Sequence, residues 1–119
     1  MSNKIAIFYH IGQFNNWRAV YNEQVRKLFL SGLYDAASFV HCGINGDEPL
    51  PNHPDKFISK RNDNHVLEAD TLKSLWSFAK VNPGYKVLYL HTKGVTWTDQ
   101  FHSVTRSWRR YMEKHLIQQ

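Results

Sequence analysis

Short apolar runs that each close on a histidine constrain this chain more than any other feature. Ile5-Ala6-Ile7-Phe8-Tyr9 runs into His10, and Val87-Leu88-Tyr89-Leu90 runs into His91. Runs of this length and β-rich composition, apolar without alternation, mark strands covered on both faces. A second strand is expected over Ala37 to Gly43, with His41 near its end, and a short third over Lys56 to Lys60.

Helical periodicity fills the intervals. From Trp17 to Ser31, the residues Trp17, Val20, Tyr21, Gln24, Val25 and Leu28 share one face, and Gly32 is placed to end the helix. A second helix is expected from about Glu68 to Val81, with Leu72, Leu75, Trp76 and Ala79 as its stripe and Asn82-Pro83-Gly84 as its stop. A last helix is expected over Ser103 to Ile117, with Val104, Trp108, Tyr111, Met112 and Leu116 inward. Gly43 to Asp55 reads as a long loop containing Pro49, Pro51 and Pro54, of a length that usually carries function or mobility.

The order β-α-β-β-α-β-α predicts an α/β fold, a three-layer α/β/α domain with a mostly parallel four-stranded sheet in the order 3-2-1-4. Open sheets of this kind bind ligands beyond the carboxyl ends of the strands, where the winding reverses, here between strands 1 and 4.

The chain's 119 residues suffice for a single domain with one core, and its 42% hydrophobic content argues against disorder. No apolar run reaches the ~20 residues of a membrane span, and no signal-peptide pattern precedes the first strand. One cysteine, Cys42, allows no internal disulfide, which fits a reducing, cytoplasmic setting, with peripheral membrane contact left open. The net charge of +5 favours an anionic partner: nucleotide phosphate, nucleic acid or an acidic membrane surface.

The strand-4 exit, His91-Thr92-Lys93-Gly94, sets a hydrogen-bonding ring, a hydroxyl, a cation and a permissive backbone where a ligand would sit. His10, His41 and His91 end three strands on one sheet edge. A three-histidine metal site lacks any H-x-x-x-H or H-E-x-x-H support, and hydrogen bonding to ligand or loop backbone is the preferred reading. Neither a Walker A loop nor a G-x-G-x-x-G fingerprint is present, which argues against ATPase and dehydrogenase chemistry. Glu68 and Asp70 suit a helix start, or in a second reading a divalent cation. Trp97 and Phe101 fall where aromatic rings contact a base or sugar, or cover the sheet edge. Arg106, Arg109, Arg110 and Lys114 make the last helix basic outside its apolar stripe, and Cys42 reads as a buried small hydrophobe.

Several blocks carry a resemblance: Ile7-Phe8-Tyr9-His10-Ile11, Asn16-Trp17, Asn22-Glu23-Gln24 and Ser31-Gly32-Leu33-Tyr34-Asp35 in the first third. Glu68-x-x-Thr71-Leu72, Leu88-Tyr89-Leu90-His91-Thr92-Lys93-Gly94 and Trp108-Arg109-x-Tyr111-Met112 follow. Together they resemble a glycosyltransferase-like family of bacteria and giant viruses, with Tyr-Leu-His-Thr-Lys-Gly as the most specific block. The resemblance implies a GT-A, Rossmann-like half-fold. It would bind a nucleoside-diphosphate sugar as donor for transfer to a glycan acceptor. The implied pocket comprises the ends of strands 1 and 2 at His10 and His41, Arg61, Glu68, and the turn of His91, Thr92, Lys93 and Gly94. Lys93 would stabilise the leaving diphosphate, and His91 would orient the sugar or a phosphate.

Two departures bear on this reading. The Asp-x-Asp pair with which such enzymes hold a divalent metal is replaced by His91-Thr92-Lys93, so no metal ligand is assigned and use of Mg²⁺ or Mn²⁺ stays open. Members of the family usually continue well past the last helix, so this chain is expected to correspond to their N-terminal, donor-binding part, or to be a short relative that binds a nucleotide and catalyses nothing. The competing reading is a non-catalytic, basic nucleic-acid- or partner-binding module. It lacks an RNA-recognition or zinc-finger pattern, which makes nucleic acid the lesser expectation.

Overall fold

Residues 4–63 and 68–92 are described by the computed structural model. Four strands, β1 (Lys4–Gly12), β2 (Ala37–Asn45), β3 (Phe57–Arg61) and β4 (Tyr85–His91), form one sheet in the order β3-β2-β1-β4. Every pairing is parallel. The fold is thus the expected Rossmann-like α/β arrangement. β1 is central, and Ile5 to Ile11 are all buried, which is why its apolar run does not alternate. The strands outlast the expected limits, because backbone pairing continues where apolarity stops: His10 pairs with His91 and Gly12 with Asn45.

Side chains alternate across the sheet and assign the helices to opposite faces. Ile5, Ile7, Tyr9 and Ile11 join Val40, Cys42, Ile44 and Leu90 in the main core, under α1 (Trp17–Leu30). That helix buries Trp17, Val20, Tyr21, Gln24 and Leu28, the face its periodicity predicts. It ends at Gly32, whose φ of 82° is the left-handed geometry that glycine adopts without strain.

A one-turn helix, α2 (Leu33–Ala36), follows; the apolar pattern gave no sign of it. Lys56 stabilises its end by donating from Nζ to the carbonyls of Tyr34, Asp35 and Ala37 at 3.1, 3.0 and 2.9 Å. The proline-containing loop is likewise tied down: Leu50 is buried, and the Tyr21 hydroxyl donates to the Pro51 carbonyl at 3.2 Å.

The other face carries α3 (Ala69–Val81). Here the expected stripe is corrected. Leu72 and Trp76 are 42% and 64% exposed, and the inward residues are Thr71 and Phe78 with half-buried Leu75 and Ala79. The helix carries apolar side chains on two adjacent faces, and ring packing selects between them. Phe78 meets Tyr85, Phe39 and Phe8 at centroid distances of 5.0, 5.2 and 5.7 Å. The expected last helix lies outside the described residues. No helix among those described is long and apolar enough to cross a membrane.

Candidate functional site

The winding reverses at β1: its crossover to β2 runs over the α1 face, and the crossover from β3 to β4 runs over the α3 face. The carboxyl ends of β1 and β4 lie side by side at this reversal, with His10 directly opposite His91. Alternation puts both rings on the α3 face. His41 shares that face one step further from the edge, opposite Phe8, with its ring 5.1 Å from the Phe8 ring.

The three histidines do different things. His10 Nδ1 lies 3.0 Å from the Thr71 hydroxyl. His91 stacks obliquely on Tyr89 at 5.6 Å, and its buried Nδ1 has no hydrogen-bond partner. His41 Nε2 is buried and equally without a partner; burial, aided by the Lys60 charge, lowers its pKa below the ordinary 6.5. Among the described residues, no group of three or more His, Cys, Asp or Glu side chains is placed to hold a metal ion.

Thr92 closes the edge. Its N–H donates to the His10 carbonyl at 3.0 Å, and its hydroxyl accepts from the Gly12 N–H at 2.9 Å. From the opposite face, Gln24 donates to the His91 carbonyl at 3.0 Å while accepting from the Tyr9 hydroxyl at 2.5 Å. The backbone that leads into Lys93 is therefore fixed by β1 and α1 together.

Other expected site residues have partners within the protein. Arg61 donates to the carbonyls of Gly46 at 2.6 Å and Glu48 at 2.7 Å, which ties the loop after β2 to the end of β3. Glu68 stands at the start of α3 and accepts from the Tyr89 hydroxyl at 2.5 Å, and burial with this bond raises the tyrosine pKa. Asp70 accepts from the Asp63 N–H at 3.1 Å. Lys93 and Gly94 lie outside the described residues, as do Trp97, Phe101, Arg106, Arg109, Arg110 and Lys114.

Three residues belong to the site although no site role was expected for them. Asn62, just past β3, donates from Nδ2 to the Thr71 hydroxyl at 2.8 Å. Thr71 is wholly buried in the first turn of α3. Gly43 makes the room: a Cβ there would lie 1.9 Å from Thr71 Oγ1. A small polar residue on the inward side of a helix start, above a strand glycine, was the available signal.

The chain belongs to the family described as a domain of unknown function, DUF8361, whose model matches residues 37–119. That match begins at the first residue of β2. No curated protein and no solved structure matches the chain.

Proposed function

We propose that this DUF8361 chain is a nucleotide-sugar-binding domain of glycosyltransferase type, with the donor seated at the β1–β4 reversal. The observation that carries the reading is the convergence of His10, His91 and Thr92 at the one place where this topology opens a crevice. The +5 charge supports an anionic ligand. Lys93, the first residue beyond the braced edge, would meet the diphosphate and stabilise the charge that develops as the sugar–oxygen bond breaks. His91 would orient the sugar or a phosphate. The described residues do not assemble a metal site, so no step is assigned to a cation. A glycan acceptor and a cytoplasmic location are parts of the same proposal.

Calorimetric titration with UDP-, GDP- and dTDP-sugars tests it. Loss of a charge-assisted contact costs roughly 1.5–3 kcal/mol, so Lys93→Ala should weaken donor binding roughly 10- to 150-fold. Arg110→Ala should leave it nearly unchanged. Equal small effects, or no binding of any nucleotide sugar by folded protein, would overturn the reading.

A further inference from the structure

One flank of α3 is apolar and open, and two hydrogen bonds fix which flank it is. Asp70 accepts from the Asp63 N–H just past β3, and Glu68 accepts from the Tyr89 hydroxyl on β4. The helix thus turns its Asp70 side to β3 and its Glu68 side to β4. Leu72 and Trp76 follow Glu68 by one and two turns and share its side. They are 42% and 64% exposed. Beside them Val87, opposite Ala6 on the α3 face, is half-buried in β4, the edge strand of the sheet. Helix flank and strand together make an apolar shelf, the kind of surface a further element covers.

The chain itself supplies an element that fits. β4 ends at His91, near the start of α3, and residues 93–119 follow it. Within them, Val104, Trp108, Tyr111, Met112 and Leu116 recur at helical spacing, with Arg106, Arg109, Arg110 and Lys114 off that stripe. As a helix, 103–117 would be about 22 Å long, against about 20 Å for the 13 residues of α3. Residues 93–102 can reach up to about 33 Å, ample to turn back over the sheet.

Handedness selects the face. The β1-to-β2 crossover over α1 and the β3-to-β4 crossover over α3 run in opposite directions along the sheet, as right-handed connections require. A helix that carries the winding on past β4 keeps the direction of the second crossover, so it falls on the α3 face, next to the open flank. The family match over residues 37–119 takes in this segment together with α3 and β4.

We propose that residues 103–117 pack as a helix along the Leu72–Trp76 flank of α3 and the outer side of β4, burying Trp108 and Met112 against that shelf. The contact is independent of what the crevice binds.

Thiol labelling of the full chain tests it. Cys42 is 0% exposed, so an introduced surface cysteine reports alone, and slow Cys42 labelling certifies that each variant is folded. Leu72→Cys should react at least about tenfold more slowly than Leu30→Cys, whose site at the end of α1 is 70% exposed, because only an accessible thiol reacts. Adding Trp108→Glu and Met112→Glu should bring Leu72→Cys to within about threefold of the Leu30→Cys rate, with Cys42 still slow. If that pair exposes Cys42, Met112→Ala alone takes its place and should speed Leu72→Cys about threefold. Equal rates at the two sites in the native background would overturn the proposal, as would protection that survives these changes in the segment. Protection that grows with protein concentration would assign the shelf to a second copy of the chain. Protection that appears only with phosphatidylserine-containing vesicles would assign it to a membrane surface. Either result overturns the proposal.

Discussion

Gly43→Ala is the sharpest test of the buried node beneath α3. Gly43 lies in β2, and its backbone is not in the left-handed region, so alanine is conformationally admissible there. In an unobstructed strand, that change would stabilise by about 0.4–1 kcal/mol through the unfolded chain. Here the new Cβ would stand 1.9 Å from Thr71 Oγ1, 3.0 Å from Thr71 Cβ and 3.0 Å from Asn62 Nδ2. Either the first turn of α3 lifts off the sheet, at an overpacking cost of about 1–3 kcal/mol, or the hydroxyl swings away. Swinging breaks its bonds to His10 and Asn62 and strands buried polar groups, again about 1–3 kcal/mol. Both routes relieve one clash and do not fully add, so a net loss of about 2–3 kcal/mol is expected. That is a large share of a stability of about 5–15 kcal/mol. Urea unfolding followed by tryptophan fluorescence measures it. In a Thr71→Ala background the same substitution should cost about 1 kcal/mol or less, so the two sites should be strongly coupled. A neutral or stabilising Gly43→Ala, or additivity in the double variant, would refute the reasoning.

Gly46→Ala should destabilise by about 1–3 kcal/mol in denaturant unfolding, since Gly46 has φ of 141° and a Cβ there would stand 2.2 Å from Gln13 Oε1; an effect under about 0.5 kcal/mol would count against the loop geometry. Lys56→Met should lower stability by about 1–3 kcal/mol, because one half-buried ammonium serves three carbonyls, with the estimate reduced for solvent access; a thermal midpoint equal to that of the native chain would refute it. His41 is held below its ordinary 6.5 by burial and by Lys60, so the folded protein takes its proton less readily than the unfolded chain. Above that value His41 contributes nothing to the pH dependence, and below it stability falls until the folded pKa is reached. His41→Phe should therefore flatten the acid side of the stability profile, and an unchanged slope would discount this residue.

Sheet order was legible because burial dictates composition: β1 is covered on both faces, and its apolar run says so. The ends of strands were less legible, since Gly12 and Asn45 pair through backbone that any side chain allows. On α3, Leu72 and Trp76 satisfied the helical period as well as Thr71 and Phe78 did. Only the ring cluster of Phe8, Phe39 and Tyr85 decided the rotation. At the site, the strand-end histidines stood out because they interrupt apolar runs. Asn62 and Thr71 did not, since their role depends on residues distant in sequence meeting over Gly43. Arg61 looked suited to an anion by its charge; its bonds to the Gly46 and Glu48 carbonyls depend on a loop that the local sequence does not reveal.

The Gln24 amide has a dynamic consequence. Its bonds join the middle of α1 to β1 and to the end of β4, spanning 67 positions to the His91 carbonyl. The last residue of β4 is thus tied to the helix on the far face of the sheet. Any opening of α1 severs that tie, so the Thr92 and Gly12 amides should exchange with solvent hydrogen as part of the α1 unit. The edge that would grip a ligand would then open in step with a helix on the opposite face of the sheet, and tightening α1 by substitutions far from the crevice would slow exchange at both amides.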